Sequence, residues 1–202
     1  MYNENQNLCL LFVDFYNVLN NDDFIFPGDG EMDPRNYKRF HQMVIDISDY
    51  VNLKLVNTNW RLINEYNTHH EFINNETHKR YELTKIENYF HKDWSINKYE
   101  KGDVESKFNN IKTWLEAHNI DINNWKKYII LDTEINSEMN CNSKLNALLI
   151  DRYVGFSTPD RKLIEFAFHP KLSNHHDIQD YLNNSDERLN CLDAMFTYFK
   201  NN

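Results

Sequence analysis

Four polar side chains in this sequence could do chemistry together: Asp14, Thr58, Lys107 and Asp132. Asp14 closes the apolar run Leu8 to Val13, Thr58 follows the run Leu53 to Asn57, and Asp132 follows Tyr128 to Leu131. Lys107 lies near the start of the segment that leads into the last of these runs. Two carboxylates suit a hard, oxygen-seeking cation such as Mg2+. A hydroxyl and an ammonium suit the oxygens of a phosphate. An aspartate beside a bound metal can serve as a covalent nucleophile. Taken singly, each residue has an ordinary reading: a strand-end Asp or Thr is a cap, and a surface Lys is solvated. Their order and placement together give them weight.

The elements that must position these groups can be read from periodicity. Leu8 to Val13 shows no polar alternation, which suits a strand buried on both faces of a parallel sheet. The loop 15–33 carries Asn20-Asn21-Asp22-Asp23 and Pro27-Gly28-Asp29-Gly30. Asp33-Pro34 then looks like an N-cap followed by proline at the first helical position. Tyr37, Phe40, Val44, Ile47 and Val51 make one apolar helix face. Leu53 to Asn57 is the second strand, completing a βαβ unit. Segment 62–105 is rich in Asn, His, Tyr and charge, and reads as short helices or an insertion over the sheet edge, a candidate cap. Phe108, Ile111 and Leu115 mark a helix from about Ser106 to His118. Tyr128 to Leu131 is expected as the third strand and residues 147–150 as the fourth. Gly155 to Asp160 is a turn into a helix that starts at Thr158-Pro159 and runs to about Phe168. A last helix is expected over 185–200. The expectation is a single α/β domain over 1–202, with a mostly parallel sheet and helices on both faces. In such a sheet the strand ends share one edge, where open α/β sheets bind ligands.

Composition narrows the function classes. The 202 residues are 41% hydrophobic and 14% aromatic, enough for a packed core. A net charge of −9 argues against a long nucleic acid as partner, since that affinity comes mainly from phosphate neutralisation. Cys9, Cys141 and Cys191 form neither a metal pair nor a disulfide framework, which suits a reducing, cytoplasmic compartment. The polar N-terminus lacks the basic region of a signal peptide, and no stretch approaches a membrane span. His69-His70, with His78 and His91, fits no closed zinc spacing and reads as a solvated loop.

Several motifs then resemble the haloacid dehalogenase-like superfamily, closest to its small domains associated with RNA-repair proteins. They are Asp14-Phe15-Tyr16-Asn17-Val18-Leu19-Asn20; Thr58-Asn59-Trp60-Arg61; Lys107 with Trp114-Leu115; Leu131-Asp132-Thr133-Glu134; and Gly155-Phe156-Ser157. The resemblance spans roughly residues 8–170. It implies a Rossmann-like fold and a phosphoryl-transfer site. Asp14 would attack phosphorus. Asp14, the backbone carbonyl of Tyr16 and Asp132 would hold Mg2+. Thr58 and Lys107, with Asn59 and Asn17, would bind phosphoryl oxygens. Glu134, Arg61 and Asn20 are accessory candidates.

The chain departs from that pattern at three places, of which the first is the most telling. The family's acid/base aspartate, two residues after the nucleophile, is Tyr16 here. A free tyrosine has a pKa of about 10 and is a poor base at neutral pH. Loss of a general acid/base costs about 10²–10⁴-fold in rate. Asn17 replaces the motif's glycine, and Thr133 its second metal-motif acid, with Glu134 as a substitute. Three readings follow. The first is a metal-dependent phosphohydrolase acting on a small phosphorylated molecule, such as a nucleotide or an RNA end. The second is a degenerate relative that binds a nucleotide, a phosphate or a protein partner without turnover. The third is dehalogenase-like ester chemistry on Asp14, with Arg61 near the halide. Trp60, Tyr66, Tyr81 and Trp94 are candidates to stack on a base.

Overall fold

The computed structural model describes residues 8–20, 33–76, 82–124, 126–134 and 145–168. The expected helix over 185–200, and with it Tyr81 and His78, lies outside these residues. Among the described residues, five strands form one sheet: β1 (Leu8–Val13), β2 (Asn52–Asn57), β3 (Phe90–Ser95), β4 (Tyr128–Asp132) and β5 (Ala147–Leu149). Their order is β3-β2-β1-β4-β5, and every described pairing is parallel. This is a Rossmann-like α/β arrangement. The strand order reverses between β1 and β4, and at such a switch point a crevice opens beyond the carboxyl ends of the strands.

The helices are α1 (Phe15–Leu19), α2 (Pro34–Ser48), α3 (Trp60–Glu65), α4 (His69–Asn74), α5 (Val104–Ala117) and α6 (Thr158–Phe168), with a 3-10 turn over Leu83–Tyr89. Alternation along β1 sorts them onto two faces. Cys9, Leu11 and Val13 join a core with Tyr37, Phe40, Val44 and Ile47 of α2 and with α4 and α6. Leu10 and Phe12 point the other way, into a core with Phe108, Ile111, Trp114 and Leu115 of α5. Asp33 accepts from the Arg35 amide at 2.8 Å and Pro34 opens α2, as the Asp-Pro pair implied.

Three expectations change. Residues 15–19 belong to a helical turn instead of a loop. Asp14 caps it, and Phe15, Val18 and Leu19 share a buried side at helical spacing. Tyr128–Asp132 is the fourth strand in chain order, because Phe90–Ser95 precedes it. The 62–105 segment therefore supplies the sheet's own edge strand as well as short helices. Among the described residues β3 has one neighbouring strand, β2, and an edge position suits its polar sequence. Its sequence, Phe-His-Lys-Asp-Trp-Ser, buries Phe90 and Trp94 and exposes Lys92 and Asp93. Trp94 stacks on Phe72 and donates Nε1 to the Asn67 carbonyl at 3.4 Å, and Tyr66 packs on Phe72. Both are packing residues here.

Candidate functional site

Parallel register places the functional groups. Val13 pairs with Asn57 on one side and with Leu131 on the other. The next residue of each strand is therefore Asp14, Thr58 or Asp132, level at one edge. Backbone bonds hold the level: the Thr58 amide donates to the Val13 carbonyl at 2.9 Å, and the Asp14 amide to the Leu131 carbonyl at 3.2 Å. Asp14 and Asp132 end the two strands that flank the switch point. α5 returns over the sheet, and Asp103 caps its start by accepting from the Ser106 amide at 3.0 Å. Lys107, in its first turn, reaches back to the edge.

Asp14, Thr58, Asp132 and Lys107 are all buried, at 0–1% exposure. Lys107 Nζ donates to Asp14 Oδ2 at 3.0 Å, to Asp132 Oδ2 at 2.8 Å and to Glu134 Oε2 at 3.2 Å. Lys107, Asp14 and Asp132 meet away from water, where charge interactions are strongest. Burial works against the Lys107 ammonium. Asp132 and Asp14 outweigh it and hold the group charged far above the usual lysine range. Burial pushes the Asp132 carboxyl up, with Lys107 opposing and Asp14 adding like charge.

Asp14 is held from three directions. Asn59 Nδ2 donates to Oδ1 at 2.6 Å, the Asn17 amide to Oδ1 at 3.3 Å, and Asn17 Nδ2 to Oδ2 at 3.1 Å. Asn59 has a second task. Its Oδ1 accepts from the Arg61 and Leu62 amides and so caps α3. One side chain thus ties the helix start to the carboxylate. Glu134 is drawn in by its amide, which donates to Asp132 Oδ1 at 2.8 Å.

Two expected residues stand elsewhere. Arg61 lies over the Tyr16 ring, 5.2 Å from its centroid, and pairs with Glu65 at 3.5 Å along α3. Asn20 caps the far end of α1, beside the turn at Gly155. Tyr16 is half-buried against the α2-side core. Burial raises its phenol further, with Arg61 opposing and Glu65 adding. Tyr99, which the motifs did not single out, donates its hydroxyl to the Thr58 carbonyl, and Lys107 Nζ sits 6.0 Å from its ring centroid. Its only sequence signal was an aromatic a few residues ahead of the α5 cap.

Two observations bear on what the site could hold. Thr58 Oγ1 and Asn57 Nδ2 are buried with no hydrogen-bond partner among the described residues. Such groups cost free energy unless water or a ligand satisfies them. Second, Asp14, Asp132 and Glu134 each bring a carboxylate oxygen within 4.8 Å of the others. Against these three carboxylates stands the ammonium of Lys107, so the ionised cluster carries a net charge of about −2. A divalent cation would neutralise it, and hard oxygen donors are what Mg2+ takes. The Tyr16 carbonyl accepts the Asn20 amide at 3.1 Å. Comparison with family models, with curated proteins and with solved structures finds no match to this chain.

Proposed function

We propose that this chain is a metal-dependent phosphohydrolase of the haloacid dehalogenase-like type, acting on a small phosphorylated molecule through an aspartyl-phosphate on Asp14. The observation that carries the reading is the in-register meeting of Asp14, Thr58, Asp132 and Lys107 at the switch point, with the Thr58 hydroxyl buried and without a hydrogen-bond partner among the described residues.

In this reading Asp14 attacks phosphorus in line with the departing oxygen. Asn59 and Asn17 fix its carboxylate, so little orientational freedom is lost at the moment of attack. The Thr58 hydroxyl donates to a phosphoryl oxygen and gains the partner it lacks among the described residues. The Lys107 ammonium balances the charge of Asp14 and Asp132 and of the arriving phosphoryl group. Asp14, Asp132, Glu134 and the Tyr16 carbonyl would hold Mg2+, which when bound supplies further positive charge for the phosphoryl oxygens. Positioning and charge stabilisation account for most of the catalysis in such sites. The acidic net charge favours a nucleotide or an RNA end over a long polyanion as substrate, and the scattered cysteines fit a cytoplasmic setting.

A second reading rests on Tyr16. Its raised phenol makes a poor base for hydrolysing the aspartyl-phosphate. In that reading the site holds a nucleotide, a phosphate or a protein partner without turnover. One experiment separates the two. Phosphate release from a broad panel of phosphoesters is measured with and without Mg2+, in the wild type and in Asp14→Asn. The first reading expects Mg2+-dependent release that the variant loses, and it fails if no ester is cleaved above the variant. Stabilisation by Mg2+ with beryllium fluoride, without turnover, selects the second.

A further inference from the structure

A second cluster of ligating side chains lies away from the carboxylate site. His91 and Asp93 come from β3 and His118 from the C-cap of α5, and one ligand atom from each lies within 4.8 Å of the other two. The backbone is shaped for this meeting. Between the pairs Leu55–Phe90 and Asn57–Ser95, β2 advances two residues while β3 advances five. The three extra residues form a bulge, and a bulge re-aims side chains and releases the strand from its ladder. His91 and Asp93 are on that bulge. Trp114 Nε1 donates to the Asp93 carbonyl at 3.2 Å and so ties the bulge to α5. The Trp114 indole also stacks on the His118 ring at 3.6 Å and meets His91 edge-on at 5.0 Å.

Hydrogen bonding sets the ring nitrogens. His118 Nδ1 faces the Trp114 carbonyl at 2.7 Å, so Nδ1 carries the proton. In the neutral ring Nε2 then holds a lone pair, and it faces Asp93 Oδ2 at 2.9 Å. Two acceptors at that distance require a cation between them, either a proton or a metal. A histidine whose other nitrogen donates to a backbone carbonyl is oriented as metal-ligating histidines usually are. His91 Nδ1 accepts the Asp93 amide at 3.1 Å, so that lone pair is engaged by the bulge's own backbone and must be released for Nδ1 to ligate. On ligation that amide passes to water, which the exposed bulge permits.

We infer that His91, Asp93 and His118 form a binding site for a borderline divalent metal of the Zn2+ class, separate from the carboxylate site. Two imidazoles and one carboxylate are a zinc-type donor set, and Mg2+ prefers oxygen alone. Tetrahedral zinc with bonds of about 2.1 Å holds its ligand atoms about 3.4 Å apart, so the His118–Asp93 pair, now at 2.9 Å, would open slightly on binding while His91 adjusts within the 4.8 Å cluster. His91 and His118 also line a cavity of about 690 Å3 with Leu8, Asn52, Lys54 and Lys92, which gives water access to the remaining coordination position. Leu8 and Asn52 begin β1 and β2, so the cluster sits toward the amino edge of the sheet, opposite Asp14. The metal would pin the edge strand to α5.

The inference does not depend on phosphoryl transfer, and its test reads metal binding alone. Untagged full-length chain is dialysed against Zn2+ in millimolar Mg2+, and bound zinc is counted. One equivalent is expected in the wild type and in Asp14→Asn. Asp93→Asn, His91→Gln and His118→Gln should each weaken binding by about tenfold or more. Co2+ in place of zinc should give the visible absorption of a four-coordinate ion, lost in the same variants. Asp93 is exposed and His91 half-buried on the bulge, so the melting temperatures of their metal-free variants serve as the folding control. Absence of zinc binding, binding indifferent to all three variants, or binding lost in Asp14→Asn would each overturn it.

Discussion

Replacing Lys107 by methionine would expose the charge balance of the carboxylate site. The long apolar stem is kept and the ammonium removed. Nζ lies 2.8 Å from Asp132 and 3.0 Å from Asp14, and both carboxylates are fully buried. At an effective dielectric of about 20, each attraction is roughly 6 kcal/mol. Desolvating the ammonium offsets much of that, and removing one partner of such a buried pair costs about 3–5 kcal/mol. The contact with Glu134, whose side chain is 42% exposed, adds little. The loss should come from carboxylates left uncompensated rather than from packing. Asp132→Asn added to Lys107→Met should therefore restore part of the stability, a coupling of about 1–3 kcal/mol. Acid should do the same. Burial pushes the Asp132 carboxyl up, and removing Lys107 takes away the charge that opposed this. A carboxyl whose folded pKa is raised favours the folded state below its unfolded value and loses that contribution as pH rises through the folded value. Lys107→Met should accordingly be more stable at pH 5 than at pH 7.5, the opposite of a carboxylate stabilised by a salt bridge. Urea denaturation of the wild type, both single variants and the double variant, without divalent metal, measures all of this. A cost of Lys107→Met below about 1 kcal/mol, or single losses that simply add, would refute the reasoning.

Asn59→Ala removes a helix cap and the 2.6 Å bond to Asp14, so a loss of about 1–3 kcal/mol is expected by urea denaturation. Asn59→Asp keeps the cap but sets a second carboxylate against Asp14, and should gain more from added Mg2+ than the wild type does, read by thermal shift. Gly155 has a φ of +68°, and a Cβ there would lie 2.2 Å from Asn36 Nδ2 and 2.5 Å from the Asn20 carbonyl oxygen. Gly155→Ala should cost more than about 1 kcal/mol, measured the same way, and an unchanged midpoint would contradict the tight turn. Cys9 is buried, and burial pushes its thiol up to about 11 with Lys127 opposing. At pH 8 only about one part in a thousand is thiolate, so mass spectrometry should find the Cys9 peptide unalkylated until denaturant is added.

Where apolar residues had to be buried on a regular period, the sequence already carried the structure. Leu8 to Val13, the Asp33-Pro34 start of α2 and the Phe108, Ile111, Leu115 face of α5 are examples. A strand buried on both faces and a helix with one apolar face leave a signature in the chain itself. β3 left none, because an edge strand broken by a bulge is free to carry His, Lys and Asp. α1 was too short for its period to stand out against a loop rich in Asn and Asp.

The sequence by itself determined that Asp14, Thr58 and Asp132 each end a strand, because that follows from where the apolar runs stop. That they stand level, with Lys107 closing on two of them, was decided only by the parallel register and the return of α5. The same holds more strongly for His91, Asp93 and His118. No spacing announces them as a group, since β3 and α5 bring them together only when both are packed. Local order is written in neighbouring residues, whereas a site built from distant elements exists only once burial has fixed how those elements lie against one another.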